Sequence, residues 1–183
     1  ITGSLASGKT TASKILSNKK GPLFSADKVV RKLYQKEKFL KILSKKFNIN
    51  KKSKVKIMLK KKILEKRSNI KKLEKIFHPI VRKEMNIFLR KHQKRRFIFL
   101  EIPLLIESKL MKKFDIIFFI KAKRSIRLKR YMIKGGDKKF FDILNNKQLS
   151  DSKKIKYCDH IIVNDKNLKF LKKKLLDIFK VYE

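Results

Sequence analysis

Tryptophan is absent from this 183-residue chain, and cysteine, proline and glycine number only 1, 3 and 5. The single thiol, Cys158, excludes an internal disulfide and cannot build a zinc site from spaced cysteines, so a reducing, cytoplasmic compartment is expected. No apolar run approaches the ~20 residues needed to cross a bilayer, and the first residues do not read as a signal sequence, so no membrane partner is expected. No Pro- or Gly-rich linker divides the chain, whose length suits one domain with a real core. Acidic residues are scarce as well: 15 Asp+Glu face 53 Lys+Arg, a net charge of +38. Such a balance suggests a polyanion such as nucleic acid. The basic runs are spread along the chain rather than gathered, however, and Lys, Ile, Asn and Phe are abundant together, as A/T-rich codon drift would produce. No specific nucleic-acid partner is expected.

Two of the few glycines fall in one motif. Gly3, Gly8, Lys9 and Thr10 spell G-x-x-x-x-G-K-[ST], a phosphate-binding P-loop. Backbone N–H groups must curl round a polyphosphate there, and Gly3 and Gly8 leave room for that approach. Lys9 then reaches the β- and γ-phosphates, the Thr10 hydroxyl suits Mg²⁺, and the helix that begins here adds its positive end. A P-loop normally follows a buried strand. A few residues before Ile1, an initiator Met included, are therefore expected.

Strand and helix patterns alternate along the rest of the chain, which predicts an α/β fold with a parallel sheet. A helix is expected over about 9–18, broken by Gly21-Pro22. A buried strand over 22–26 ends at Asp27, which places that carboxylate beside the P-loop, where it also suits the N-cap of the next helix. Helical spacing recurs over about 28–47, 55–65 and 70–94, with a basic loop at 48–54, so the middle is mostly helical and suits a second substrate. Pro79 predicts a bend or a helix start, and its neighbour His78 is as readily structural as catalytic. The strand over 97–102 carries Glu101 near its end, on the metal side of a P-loop or as a cap to the segment after Pro103. A short helix over 103–111 and a strand over 114–120 follow. A helix over 124–134 sets Arg127, Arg130 and Lys134 on one face, able to close over a nucleotide or simply solvated. Gly135-Gly136 is a hinge or a stop. Helices over about 138–147 and 150–157, a strand over 159–164 and an amphipathic helix over about 167–180 complete the pattern.

Five segments in order carry a resemblance. They are Thr2 to Thr11, Ser25-Ala26-Asp27, His78 to Val81, Glu101-Ile102-Pro103-Leu104-Leu105-Ile106-Glu107, and the set Gln148, Lys154, Cys158-Asp159, Ile162 and Asn164. Together they resemble the dephospho-coenzyme A kinase family across nearly the whole chain. The resemblance implies a P-loop kinase fold with a five-stranded parallel sheet (core about 1–27, 96–123 and 158–183), a helical substrate-binding part (about 28–95) and a lid (about 124–157). It implies transfer of the γ-phosphoryl of ATP, with Mg²⁺, to the ribose 3′-hydroxyl of dephospho-coenzyme A. A monomer is expected. Carried over, Asp27 is the general base, with Lys9 and Arg130 catalytic. Gly3, Ala6, Ser7, Gly8, Lys9, Thr10, Thr11, Arg130 and Asn164 bind ATP. Asp27, His78, Arg82 and Glu101 bind the acceptor, and Thr10 and Glu101 hold the metal.

The chain departs from the family pattern in four places. Ala6 replaces a loop glycine and is tolerable only at negative φ. Ser25 replaces an acid, Lys134 stands where an arginine is usual, and the segment before Gln148 is about one residue short. Two other readings fit the P-loop alone, another small kinase acting on nucleoside monophosphates and a basic nucleic-acid-binding ATPase. The His78-Pro79 and Gln148 to Asn164 motifs speak against the first.

Overall fold

The computed structural model describes residues 1–50 and 55–183. In chain order its strands are β1 (Thr2–Gly3), β2 (Leu23–Ser25), β3 (Phe99–Glu101), β4 (Phe118–Lys121) and β5 (His160–Val163). Its helices are α1 (Lys9–Ser17), α2 (Ala26–Leu33), α3 (Glu37–Phe47), α4 (Val55–Glu65), α5 (Ser68–His92), α6 (Arg124–Ile133), α7 (Lys138–Lys147), α8 (Asp151–Ile155) and α9 (Leu168–Phe179). They form two compact units, one of Ile1–Ser25 with His92–Glu183 and one of Ala26–Lys91.

All strands lie in the first unit and pair in parallel, as the alternating pattern requires. The five-stranded sheet is found as a three-stranded ladder, β1-β4-β5, and a two-stranded ladder, β2-β3. Backbone bonds at Ile1 join the two: its nitrogen donates to Leu100 O at 2.7 Å, and Ile102 N–H donates to Ile1 O at 3.0 Å. The strand order is therefore β2-β3-β1-β4-β5. Phe118, Phe119 and Ile120 are all buried, which explains why β4 reads as a continuous apolar run rather than an alternating one. Ala12 and Leu16 of α1 pack with Leu171, Leu175 and Phe179 of α9 over Phe99, Phe118, Ile120 and Ile162.

Two elements of this unit differ from expectation. The helix expected over 103–111 is not formed: residues 103–109 make turns, and a 3₁₀ turn follows at Met111–Lys113. Pro103 brings no N–H, and Lys109 adopts φ 54°, so the chain makes one helical turn and reverses. Gly135-Gly136 proves to be a stop: Gly135 N–H donates to Met132 O and Gly136 N–H to Tyr131 O, closing the end of α6.

The second unit is helical and has its own core, in which Leu33, Phe39, Leu43, Phe47, Ile49, Val55, Leu59 and Phe77 are buried together. Tyr34, Phe39 and Phe77 meet ring to ring, with centroids 5.1–6.3 Å apart. The single helix expected over 28–47 is two, α2 and α3, with residues 34–36 between them. The Tyr34 ring is recruited to the core at that break, and burial pushes its phenol pKa up. No helix starts at Pro79, which lies inside α5. The loop expected at 48–54 is irregular backbone at 48–50, and its remainder falls outside the described residues.

Candidate active site

β1 ends at Gly3, and α1 begins at Lys9, so residues 4–8 form the loop between a buried strand and a helix N-terminus. Both glycines are required by contact. A Cβ on Gly3, at φ 149°, would strike the carbonyl oxygen of Ile120 on the adjacent strand, and one on Gly8, at φ 100°, would strike Nδ2 of Asn164. No side chain caps α1 at Gly8, the arrangement that presents a helix N-terminus to an anion. Ala6 overturns its expectation: it sits at φ 58°, in the left-handed region that a Cβ disfavours. The loop keeps its glycine-type conformation in spite of the substitution.

Lys9 is 7% exposed, and its ammonium donates to Ser4 O at 2.8 Å, across the mouth of the loop. Thr10 Oγ1 donates to Glu101 Oε1. Glu101 closes β3, faces Ser25 across the β2–β3 ladder, and is 1% exposed. Its second oxygen, Oε2, is buried and has no hydrogen-bond partner. A buried, half-satisfied carboxylate beside a threonine hydroxyl suits a hard cation that keeps most of its ligands from water and phosphate. The helix-capping alternative for Glu101 is not realised, since no helix follows.

Cations and amides close on the loop from later in the chain. Asn164, directly after β5 and 6% exposed, donates from Nδ2 to Ser7 O at 2.8 Å. Arg130, half-buried on α6, reaches the same oxygen at 3.4 Å. Arg127 points inward and is 6% exposed, so the solvated-face reading of α6 fails there. Its guanidinium donates to Ala122 O, Leu5 O and Asn145 Oδ1, and burial lowers its pKa while Asp151 works against that shift. Lys134 is exposed at the end of α6. The three residues predicted to act as one face thus divide into a buried strut, a loop contact and a surface charge.

Sequence reasoning assigned no role to Ser4, Glu107, Gln148, Asp151 or Lys154, yet all of them bear on the loop. Ser4 Oγ donates to Asp151 Oδ1, Leu5 N–H donates to Gln148 Oε1 at 3.1 Å, and Lys154 pairs with Glu107 at 2.8 Å. The Glu101-to-Glu107 and Gln148-to-Asn164 motifs, within which most of these residues fall, were the available signal. The remaining predicted residues belong to the second unit. Asp27 is exposed in the first turn of α2, and half-buried His78 and exposed Arg82 lie one turn apart on α5. Among the described residues no cluster of three His, Cys, Asp or Glu side chains could hold a metal by itself, and no helix is long and apolar enough to cross a membrane.

The family model described as "CoaE: Dephospho-CoA kinase" matches residues 1–169. A dephospho-CoA kinase of Bartonella henselae is 32% identical over 98% of this chain and 95% of its own length. Another from Rickettsia conorii is 30% identical over 100% of this chain and 96% of its own. Among solved structures, a Thermus thermophilus protein superposes with TM-score 0.76 at 23% identity, covering 98% of this chain and 94% of its own. A Campylobacter jejuni dephospho-CoA kinase does so with TM-score 0.62 at 24% identity, covering 98% and 93%. These two carry the fold. The chain belongs to the dephospho-CoA kinase family.

Proposed function

We propose that the chain transfers the γ-phosphoryl of ATP to the ribose 3′-hydroxyl of dephospho-CoA, giving CoA and ADP. The observation that carries this reading is a braced P-loop on the N-terminus of α1, in a chain matched by the family model over residues 1–169. Phosphoryl transfer through a loose transition state asks mainly for positioning and charge neutralisation. The loop residues Gly3 to Thr11 hold the ATP phosphates. Lys9 exchanges its contact with Ser4 O for phosphate oxygens, and Arg130, already at Ser7 O, adds a second cation. Asn164 keeps the Gly8 turn in shape through Ser7 O. Thr10 and the unpartnered oxygen of Glu101 would hold magnesium, which would supply charge neutralisation to the phosphates.

Asp27 enters through the match of Ser25-Ala26-Asp27 to the family pattern. It accepts the proton of the attacking hydroxyl, for which ordinary carboxylate basicity suffices. His78 and Arg82, on α5, are assigned to the acceptor on the same ground. The enzyme acts as a soluble monomer in the cytoplasm and needs no nucleic-acid partner.

An ADP-release assay with dephospho-CoA, run against a panel of nucleosides and nucleoside monophosphates, tests the reading. ADP is expected with dephospho-CoA alone. Equal or faster release with a monophosphate would replace the acceptor, and ATP consumption that requires DNA would replace the class of protein.

A further inference from the structure

One buried ammonium group beside the P-loop takes no part in the phosphate chemistry just described. Lys154 of α8 is 0% exposed, pairs with Glu107 at 2.8 Å and donates to Gln148 Oε1 at 3.4 Å. Gln148 Oε1 also accepts Leu5 N–H at 3.1 Å, and Glu107 Oε1 accepts Leu149 N–H at 3.2 Å, pinning the residue after Gln148. Burying a lysine costs several kcal/mol unless it is paired and hydrogen-bonded, and an apolar residue of like volume would stabilise the fold at least as well. Stability alone therefore does not explain the charge.

Geometry does. A glutamine amide has two faces, and only its oxygen can receive the Leu5 N–H. An ammonium group is donor-only, so Lys154 admits the oxygen and refuses the NH₂ face. Glu107 fixes where the ammonium sits. The residue after Leu5 is Ala6 at φ 58°, a conformation disfavoured by about 1–2 kcal/mol in a non-glycine residue, which the surroundings must impose. Leu5 is gripped on both sides, its N–H by Gln148 and its carbonyl by Arg127.

We propose that Glu107, Lys154 and Gln148 form a positioning relay that sets the P-loop for phosphate binding, with Lys154 orienting the Gln148 oxygen onto Leu5 N–H. The inference rests on the phosphate role of the loop. Gln148→Leu keeps the volume and loses the acceptor, whereas Gln148→Glu keeps an acceptor for both donors. The KM for ATP is expected to rise about tenfold in Gln148→Leu, the equivalent of one hydrogen bond, and to stay within about twofold of the parent in Gln148→Glu. The KM for dephospho-CoA should not move. Should Gln148→Leu fail to fold, Lys154→Met combined with Glu107→Gln removes the orienting donor without stranding a charge, and the same ATP effect is expected. An ATP KM within about twofold in the variant that folds overturns the relay, as does a rise confined to dephospho-CoA. Amide exchange at Leu5, measured without substrates, separates this idea from the kinase reading. Exchange should accelerate about tenfold or more when the acceptor is lost, and unchanged exchange overturns the relay whatever the enzyme phosphorylates.

Discussion

At φ 58° the Cβ of Ala6 crowds its own backbone, a strain of about 1–2 kcal/mol that glycine would not bear. Glycine would also lose more freedom on folding, by about 0.4–1 kcal/mol. The strain outweighs that entropy loss, so Ala6→Gly is expected to stabilise the protein by about 0.5–1 kcal/mol, read as a raised denaturation midpoint. A lowered midpoint would mean that the methyl group makes contacts worth more than the strain it causes. Asp27 allows a different test, because it is exposed in the first turn of α2 and outside the core. Asp27→Asn is expected to cut turnover by about 10²–10⁴-fold, the usual contribution of a general base, with ATP affinity nearly unchanged. Turnover within a few-fold of the parent would remove Asp27 from the proton step. Cys158 shows the opposite behaviour, a group withdrawn from chemistry: burial, reinforced by Asp159, pushes its thiol pKa up to about 11.

Pro79 is the outlier among the elements. It lies inside the 25-residue helix α5 and is exposed, so its missing N–H is not offset by packing. An interior proline costs about 3 kcal/mol relative to alanine, and Pro79→Ala should therefore stabilise the protein by up to that amount, read as a raised unfolding midpoint. A fall in stability would show that the ring contributes a contact stronger than the lost hydrogen bond. The helical stretch expected over 70–94 is α5, and only the helix start that local proline chemistry allows at Pro79 is absent, because the surrounding turns override it. Helix α7 was legible to the residue, because it combines apolar periodicity with polar flanks, and α4 was legible from Val55, Leu59 and Ile63 recurring every four residues. The break between α2 and α3 was not, for no proline or glycine marks it and only the aromatic cluster of Tyr34, Phe39 and Phe77 explains it. In the site, Lys9, Thr10 and Glu101 were readable from spacing and strand position. The inward turn of Arg127 and the burial of Lys154 were not, because in a chain with 53 basic residues a buried cation looks like any surface one.

At the scale of the molecule, 15 acidic residues can neutralise at most 15 of the 53 cations, and 38 positive charges remain. Surface pairs such as Lys41–Glu37, with side chains 55% and 77% exposed, contribute about 0–1 kcal/mol each and do not offset repulsion summed over so many like charges. Repulsion is long-ranged, and salt shortens it: the screening length falls from about 30 Å at 0.01 M to about 8 Å at 0.15 M. Unfolding moves the charges apart, so low salt favours the unfolded chain. The unfolding midpoint should therefore rise with sodium chloride across this range. Chloride is the salt to use, because sulfate or phosphate would stabilise by occupying the P-loop and confuse the two effects. The same screening should act oppositely on ATP, whose association with a cationic surface is steered at low salt and slows as salt rises. Measured together, a rising midpoint and a falling ATP association rate identify one cause, the uncompensated charge. A midpoint that falls with chloride would show that specific ion pairs outweigh the net repulsion, and the excess lysines would then have to be treated as structural rather than tolerated.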